Sequence, residues 1–277
     1  MKYYKYVTHH GVDILRHNRI KVSDFSQTND PFEILPRIDY PTDRTFWDQQ
    51  FEQHVANDPV FAPAKRAKLQ NLAEYERQRT SFISGSISER DRAMRELPQR
   101  LRDGYATEVG FVCLTTKPND IVMWGHYADC HRGLVIEFDA NNVFFVNFVD
   151  TDGNKLRVFP VDYTDMRPVL KVGDPFRPEL MACKGKTWKY EDEVRILFHK
   201  GSCVQDGADI FFPLPPDCIT GVILGARAPE DLCREVMSLN QEKWNGKLSV
   251  SNAVEDPEEY RILIQGDRSQ ERGELQN

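Results

Sequence analysis

Glu191 and Glu193 are separated by a single residue. They lie in a segment, Thr187–Phe198, in which polar and apolar residues alternate as in a β-strand. Side chains two positions apart in a strand point to the same face, so we expect both carboxylates and Arg195 to lie together. Two like charges repel unless a cation or a hydroxyl-rich ligand compensates them. Such a pair can stabilise a developing positive charge or accept a proton. A solvated face with a Glu193–Arg195 ion pair is the structural alternative.

A second group of chemically capable side chains occupies only seven positions, and its members are His126, Tyr127, Asp129, Cys130, His131 and Arg132. At about 100° per residue, Tyr127 is predicted to lie on the flank of the buried stripe of a helix, where its ring can form a wall of a cleft. A core helix with a solvated last turn is the structural alternative. His126 and Cys130 are also spaced i, i+4, as zinc ligands on one helix face would be, but no second spaced pair is visible.

These residues belong to a predicted strand–helix–strand unit, Val109–Asp139. Its first strand, rich in β-formers, ends at Thr115 before Pro118. The helix is predicted to begin after a cap at Asn119 or Asp120 and to end at a left-handed glycine. Its buried side is expected to contain Ile121, Trp124, Gly125 and Ala128, with Gly133 as the left-handed residue and Leu134–Phe138 as the second strand.

The segments before this unit are predicted to be a strand, a short helix and a loop. Tyr3–Thr8 is rich in β-formers, and Ile14 and Leu15 form the apolar pair of a short helix. Phe25–Glu33 contains Asn, Asp and Pro, which favour turns. The loop is either a structural Ω-loop or a loop that closes over a ligand.

Interleaved Glu, Gln, Arg and Lys residues dominate Phe46–Arg102, as is typical of exposed helices. We therefore predict a single domain, 1–277, with a helical insertion or lid at about 37–105. After the central unit the sequence predicts strands at Val143–Val146 and Leu156–Val161 around a turn at Thr151–Asn154, a helix at Glu179–Lys186, a strand at Ile219–Leu224, a helix at Pro229–Asn240 and a strand at Tyr260–Ile264.

The composition limits the classes of function. The chain has 277 residues, a formal net charge of −7 and 40% hydrophobic residues. A negative net charge disfavours nucleic-acid binding through a global positive field. No apolar run is long enough to span a bilayer, and the N-terminus lacks the apolar segment of a signal peptide, so we expect a cytoplasmic protein without membrane contact. The six cysteines show no CxxC pairs, and no disulfide is needed to explain them.

Four motifs follow one another across most of the chain: the strand Tyr4–Tyr6, the loop Asn29–Glu33, the core Trp124–Gly133 and the strand Trp188–Arg195. Together they resemble a bacterial domain family of unknown function. That family is marked by Tyr-x-Tyr, Asn-Asp-Pro-Phe-Glu, Trp-x-His-Tyr-Ala-x-x-His-x-Gly and Trp-x-Tyr-Glu-x-Glu-x-Arg. The match is specific, but it does not supply an activity.

The order of the elements is also similar to that of ADP-ribosyltransferases, especially DNA-targeting toxins of that fold. Those enzymes open with a strand bearing His or Arg and a short helix, and they close with a strand bearing Glu. Tyr4–Thr8 and Val12–Leu15 match this opening, with Lys5 at the position of the His. The Ser-Thr-Ser triplet of those enzymes is missing, and only Thr115 and Thr116 stand nearby. The resemblance implies an α+β fold, an ADP-ribosyltransferase-like mixed split β-sheet core with a helical insertion.

The same resemblance implies an NAD-dependent ADP-ribosyltransferase or an NAD glycohydrolase, with NAD as substrate and no metal. Glu193 would be the carboxylate that faces the sugar, and Glu191 would orient the acceptor or take its proton. Tyr127 would stack on nicotinamide. The further NAD-binding residues would be Lys5, Tyr6, His126, Thr115 and Arg195. The acceptor is open among protein, nucleic acid, a small molecule and water, and a toxin or anti-phage defence effector is the setting that the resemblance favours.

Two alternatives come from other classes. One is a non-catalytic nucleotide-sensing or partner-binding module, in which the insertion at 37–105 binds another protein and the cleft binds a ligand without turnover. The other is a metal-dependent hydrolase that uses His126, Cys130 and His131. Metal analysis and a comparison of ligand binding with turnover distinguish the three hypotheses.

Overall fold

The computed structural model describes residues 1–25, 28–147, 157–174 and 177–266. These residues form two compact units. The first unit consists of Met1–Pro31, Tyr105–Asp165 and Ala182–Asn277, and the second of Phe32–Gly104 and Met166–Met181. The predicted helical insertion at 37–105 falls largely in the second unit, whereas the predicted turn at Thr151–Asn154 lies outside the described residues.

The chain contains both strands and α-helices. The strands are β1 (Lys2–Val7), β2 (Arg19–Val22), β3 (Arg37–Asp39), β4 (Val109–Thr115), β5 (Leu134–Asp139), β6 (Arg157–Pro160), β7 (Asp162–Thr164), β8 (Val169–Lys171), β9 (Cys183–Gly185), β10 (Glu193–His199), β11 (Val204–Asp206), β12 (Asp209–Pro213), β13 (Ile219–Leu224), β14 (Ser249–Glu255) and β15 (Ile262–Gly266). The α-helices are α1 (Asp13–His17), α2 (Arg44–Asn57), α3 (Ala62–Gln70), α4 (Leu72–Ser88), α5 (Arg90–Glu108), α6 (Ile121–Tyr127), α7 (Val143–Val146) and α8 (Glu230–Trp244). Four of the helices, α2 to α5, follow one another between β3 and β4. Among the described residues, none of the helices combines the length and apolar character needed to cross a bilayer.

An eight-stranded mixed sheet organises the first unit, in the order β15-β14-β13-β5-β1-β4-β10-β6. Side chains along β5 alternate between two apolar clusters, because successive strand residues point to opposite faces. Leu134, Ile136 and Phe138 belong to the larger cluster, which also contains residues of α1, α7 and α8. Val135 belongs to the smaller cluster, with Trp124 of α6. The central strands are therefore covered on both faces, which explains their nearly continuous apolar sequence.

The sheet has a local opening between β1 and β4. β1 pairs with β5 along its whole length, but its register with β4 consists of the single pair Tyr4 and Thr115. Further along β4, Phe111 pairs instead with Ser23, which follows β2. Between these two contacts, the carbonyl of Cys113 accepts a hydrogen bond from Lys5 Nζ at 3.1 Å. A lysine side chain thus replaces the backbone partner that a continuous ladder would provide.

The second unit is mainly helical. α2, α3 and α4 share a core around Phe51, Val55 and Tyr75. The short strands β3 and β8 pair in parallel, and Ile38 and Leu170 pack with neighbouring apolar residues. The segment of interleaved charges forms helices α2 to α5, as predicted, and the buried residues of α2, Trp47, Phe51 and Val55, recur at helical spacing.

Two predicted elements near the sheet are wrong. Val143–Val146 is a helical turn, because Asn142 caps it: the side chain oxygen of Asn142 accepts from the N–H of Phe144 at 3.0 Å. The predicted helix Glu179–Lys186 is a 3₁₀ turn, Pro178–Ala182, followed by strand β9. Four-residue apolar runs and short mixed segments do not distinguish a strand from a helix by periodicity, so tertiary pairing decides.

Candidate active site

Helix α6 carries Tyr127 and is fixed at its start by side chains. Asp120 caps the helix as predicted, and its carboxylate accepts from two N–H groups of the first turn at 2.9 and 3.0 Å. The phenol of Tyr6 donates to the carbonyl of Lys117 at 3.0 Å and accepts from the N–H of Asp120 at 3.2 Å. Trp124 is fully buried, but Ile121, predicted on the buried side, is 46% exposed. β1 thereby determines where α6 begins.

The chain leaves α6 through three consecutive residues in the left-handed region, Asp129, Cys130 and His131, with φ angles of 49°, 51° and 69°. Such conformations are costly for residues other than glycine and occur mostly where surrounding contacts enforce them. The prediction that Gly133 is the left-handed residue is wrong. Gly133 is needed for a close approach, because a Cβ there would lie 2.1 Å from the carbonyl oxygen of Val7.

Four charged side chains form a buried network beside α6, which we name the charge network: Lys184, Glu191, Glu193 and Arg195. They are 7%, 3%, 4% and 0% exposed, respectively. Lys184 Nζ lies 2.6 Å from Glu191 Oε2 and 2.8 Å from Glu193 Oε2. Glu193 Oε1 lies 2.9 Å from both Nε and Nη2 of Arg195. The Lys184–Glu193 contact is an ion pair whose angles do not fit a hydrogen bond. Two cations balance two carboxylates.

Strand alternation brings only part of the network together. Glu193 and Arg195 lie on the same face of β10, as predicted, and form the predicted neighbour pair. Glu191 is outside the strand: it ends a 3₁₀ helix, Lys186–Glu191, and Asp192 then turns the chain with a φ of 45°. The prediction that Glu191 and Glu193 share a strand face is therefore wrong. The two carboxylates meet because both bind Lys184.

Two further contacts hold the start of β10. The phenol oxygen of Tyr163, in β7, accepts from the N–H of Glu193 at 2.8 Å. β7 pairs in parallel with β9, and in that register Tyr163 stands opposite Lys184. The guanidinium of Arg195 lies 4.7 Å from the centre of the Phe111 ring, a cation–π contact with β4. Strands β4, β7 and β9 thus help to position the charged side chains of the network.

The charges of the network keep Glu193 ionised. Burial raises the pKa of the Glu193 carboxyl, but the positive charges of Arg195 and Lys184 outweigh burial and lower the pKa from 4.5 to about 2. Glu193 is therefore a permanent carboxylate at neutral pH. Fixed in a poorly solvated environment, it can stabilise a positive charge that develops beside it without any reorganisation of water.

Tyr127 connects the charge network to the surface. Its phenol donates to Glu191 Oε1 at 2.5 Å and accepts from Asn29 Nδ2 at 2.7 Å. Burial and the hydrogen bond to Glu191 raise the pKa of the Tyr127 phenol, so the hydroxyl keeps its proton at neutral pH and remains a donor. Asn29 is exposed and Tyr127 is half-buried. These two side chains therefore lie between solvent and the buried carboxylates of Glu191 and Glu193.

The predicted NAD-binding residues outside the charge network have different surroundings and partners. Burial lowers the pKa of the Lys5 ammonium, and the negative charges of the Cys113 thiolate form and of Glu193 oppose this shift. Thr115 is buried, and its hydroxyl oxygen accepts from the N–H of Lys117 at 3.1 Å. His126 is exposed, with Nδ1 3.3 Å from the phenol oxygen of Tyr190. Tyr6 and Thr115 thus hold the backbone around 117–120, whereas His126 lies at the surface next to Tyr127.

The residues of the metal hypothesis have other partners. His131 stacks on Trp124, with ring centroids 6.2 Å apart and an angle of 11° between the planes. Burial and the charge of Arg227 lower the pKa of the His131 imidazole. In the part of the chain that the structure describes, no group of three or more His, Cys, Asp or Glu residues is arranged to hold a metal ion. His126, Cys130 and His131 do not form such a group.

The comparisons with known proteins found one matching family model. Residues 123–196 match the model of DUF2971, a protein family of unknown function. The matched segment includes Tyr127 and all four residues of the charge network, as well as two of the four motifs noted in the sequence, Trp124–Gly133 and Trp188–Arg195. Comparison with curated proteins and with solved structures found no significant match. The match therefore covers Tyr127 and the charge network but not Asn29, and it gives these residues no activity.

Sequence reasoning missed three members of this site: Lys184, Tyr163 and Asn29. Lys184 stands in a segment without periodicity, between Cys183 and Gly185. A charge argument could have predicted a second cation in this site, because two buried carboxylates need two cations and Arg195 provides only one. Asn29 belongs to the loop that is predicted to be either a structural Ω-loop or a loop that closes over a ligand, but nothing in its type indicated a contact with a phenol 98 positions away.

Proposed function

We propose that the chain is an NAD-dependent ADP-ribosyltransferase or NAD glycohydrolase, in which Glu193 stabilises the transition state. The observation that supports it best is the connection of two distant segments, α6 and residues 184–193, in one charged site. Tyr127 of α6 contacts Glu191, which binds Lys184, and Lys184 contacts Glu193 at the start of β10. An aromatic helix beside a strand-borne carboxylate agrees with the arrangement that the resemblance to ADP-ribosyltransferases implies.

The opening in the sheet gives additional support to an ADP-ribosyltransferase-like split core. β1 and β4 share one register pair, and Lys5, at the position where those enzymes have His or Arg, reaches across the opening to β4. None of the six cysteines, all of which are among the described residues, forms a disulfide, which agrees with the proposed cytoplasmic location. A toxin or anti-phage effector remains the proposed biological setting, on the resemblance alone.

In the proposed reaction, the bond between the nicotinamide nitrogen and the anomeric carbon breaks, and nicotinamide leaves with the bonding electrons. An oxygen of water or of an acceptor forms the new bond to that carbon, and its proton passes to a carboxylate, for which Glu191 is our candidate. Positive charge develops on the sugar in the transition state. At about 4 Å and an effective dielectric constant near 20, a carboxylate stabilises that charge by about 4 kcal/mol, or about a thousandfold in rate.

The proposal requires a change at the surface of the site. Both carboxylates are nearly inaccessible, at 3% and 4% exposure, whereas Asn29 and Tyr127 lie in front of them. A substrate group that approaches the Tyr127 hydroxyl must first displace Asn29, which donates to it. Asn29 is exposed to water, so loss of its hydrogen bond to the phenol costs only about 0.5–1.5 kcal/mol. Ligand binding readily offsets that cost.

Nicotinamide release from ring-labelled NAD by the purified chain tests this function. We expect Glu193→Gln to lower the rate about a thousandfold, because the amide carries no charge to stabilise the sugar cation. Glu96→Gln on α5 is the matched control: Glu96 also binds two cations, Arg92 and Arg100, but at the surface of the second unit, so we expect the wild-type rate. Circular dichroism shows whether each variant is folded. Equal rates for folded Glu193→Gln and wild type contradict the proposal.

A second candidate function is a non-catalytic nucleotide-sensing or partner-binding module, with the insertion at 37–105 as the partner surface. The complete pairing of Glu191 and Glu193 inside the protein favours it, because a carboxylate that is neutralised on both oxygens has reduced charge to offer a substrate. This candidate predicts saturable NAD binding without nicotinamide release. Isothermal titration with NAD beside the release assay distinguishes the enzyme from an NAD sensor, and absence of both binding and release excludes these two functions.

A further inference from the structure

A cavity of about 310 Å³ lies within the second unit and is separate from the site described above. It is lined by the segment 35–38, by one side of α5 and by Arg167, which stands just before β8. Three of the lining residues are arginines, Arg37, Arg95 and Arg167. Among the described residues that line it, none is Asp or Glu. The cavity therefore concentrates positive charge in a concave surface.

Local structure explains why the three arginines converge. Arg37 is the first residue of β3, and its N–H donates to the carbonyl of Pro168 at 2.8 Å, which holds Arg167 next to it. Arg95 and Gln99 are one helical turn apart on α5 and line the same cavity. All three arginine side chains are exposed. None of the three forms an ion pair with a carboxylate of the described residues.

Two neighbouring cavities of the same unit show the opposite pattern. One is lined by Glu89 and Glu96 together with Arg92 and Arg100 of α5. In that cavity Arg92 Nε lies 3.1 Å from Glu96 Oε1, and Arg100 Nη2 lies 2.7 Å from Glu96 Oε2. The other is lined by Arg44 and Arg79 with Asp48 and Glu76, and Arg79 binds both carboxylates.

Arginines of this unit are thus neutralised where the chain places carboxylates beside them. The cavity of Arg37, Arg95 and Arg167 lacks such carboxylates in its described lining, so three like charges face one space. Like charges that line one cavity repel each other, and a bound anion offsets that repulsion. Each guanidinium also offers planar, forked donors that match the oxygens of a phosphate group.

We propose that this cavity binds a phosphorylated small molecule. Three guanidinium groups balance the two to three negative charges of a phosphate or diphosphate group, and the amide of Gln99 adds a neutral donor. Leu35, Met94 and Pro98 line the remaining wall and suit an apolar part of the ligand. The volume lies at the lower end of the range of about 300–1,000 Å³ that small-molecule sites occupy. The site does not depend on the function proposed above, because all of its residues belong to the second unit.

Isothermal titration of the full chain at low ionic strength tests the proposal, with pyrophosphate, AMP and adenosine as probes. We expect saturable binding of pyrophosphate and AMP and none of adenosine, which has no phosphate group. Arg95→Gln and Arg167→Gln are each expected to weaken binding about tenfold or more, because each removes a charge-assisted contact. The matched control is Arg92→Gln, on the same helix but paired with Glu96, and it is expected to bind like the wild type.

The variants alter exposed side chains, so we expect them to fold, and circular dichroism checks this. The proposal is overturned if neither phosphate probe binds the wild type. It is also overturned if Arg92→Gln and Arg95→Gln weaken binding equally, because that result indicates a general effect of net charge. Adenosine binding as tight as AMP binding has the same consequence, since the arginines then contribute nothing.

Discussion

Each unit of this protein contains a charged residue that forms ion pairs with two residues of the other sign. The two residues differ in their exposure to water. Lys184 in the first unit bridges Glu191 and Glu193, and its side chain is 5% exposed. Glu96 in the second unit bridges Arg92 and Arg100, and its side chain is 42% exposed. Water screens the surface group, so its pairs contribute about 0–1 kcal/mol each. The buried group has lost that hydration, so each member depends on its partners.

The comparison shows that the presence of an ion pair does not by itself indicate how much stability is lost when one partner is removed. Removing one partner at the surface exposes the other to water, whereas removing one partner inside leaves a charge with nothing to solvate it. Buried networks often add no stability over well-packed apolar residues, so their presence invites a functional explanation. In this protein the network lies behind Tyr127, in the segment shared with DUF2971.

The largest expected effect is that of Lys184→Met. The substitution leaves Glu191 and Glu193 close together without their shared cation, so we expect the free energy of unfolding at pH 7 to fall by about 3–5 kcal/mol. Urea denaturation followed by circular dichroism measures the change. Adding Glu191→Gln to Lys184→Met restores the charge balance and is expected to recover part of the loss.

The surface counterpart of that experiment is Arg92→Met on α5. Because both partners are solvated, we expect a loss of at most about 1 kcal/mol, which decreases further in high salt. Similar losses for Lys184→Met and Arg92→Met would show that the two charged groups do not differ in the way that their burial indicates.

The second effect is loss of stability in acid. The pKa of Glu193 is lowered from 4.5 to about 2 in the folded protein. A carboxyl with a lowered folded-state pKa contributes stability that is fully present above the unfolded pKa and is lost as the pH falls through the folded pKa. We therefore expect a loss of about 3 kcal/mol between pH 4.5 and pH 2 from this group.

The double variant Glu193→Leu/Arg195→Met tests that assignment. It removes one charge of each sign, so Lys184 and Glu191 remain as a neutral pair. Urea denaturation at a series of pH values is expected to show a loss between pH 4.5 and pH 2 that is about 3 kcal/mol smaller than in the wild type. An unchanged pH dependence would assign the acid sensitivity to other carboxyls.

A smaller effect within the first unit is that of Tyr127→Phe. The ring remains, but Glu191 Oε1 loses its donor, so we expect the free energy of unfolding to fall by about 1–3 kcal/mol. Asn29→Ala removes only the exposed partner of the same phenol and is expected to cost less. Thermal and urea unfolding measure both changes. A larger loss in Asn29→Ala than in Tyr127→Phe would mean that the surface contact, and not the contact with the network, stabilises α6.

Local sequence signals predicted several elements that position the site. β1 and β13 lie where β-forming runs indicated strands, and α8 begins one residue after its predicted start. Asp120 is one of the two predicted caps of α6. These features depend on neighbours within a few residues, because capping and periodic burial are local. The neighbour pair of Glu193 and Arg195 is predictable for the same reason.

Sequence alone determined that a carboxylate and an arginine share one face of a strand and that an aromatic, polar helix precedes it. Only the tertiary structure decided that Lys184 joins Glu191 to Glu193, that Asn29 covers Tyr127 and that β1 separates from β4. These contacts join residues far apart in the chain, and no periodicity or spacing records which distant segments will pair. Packing of the sheet and its two faces fixes those registers, because only one arrangement buries the apolar residues and pairs the charges at the same time.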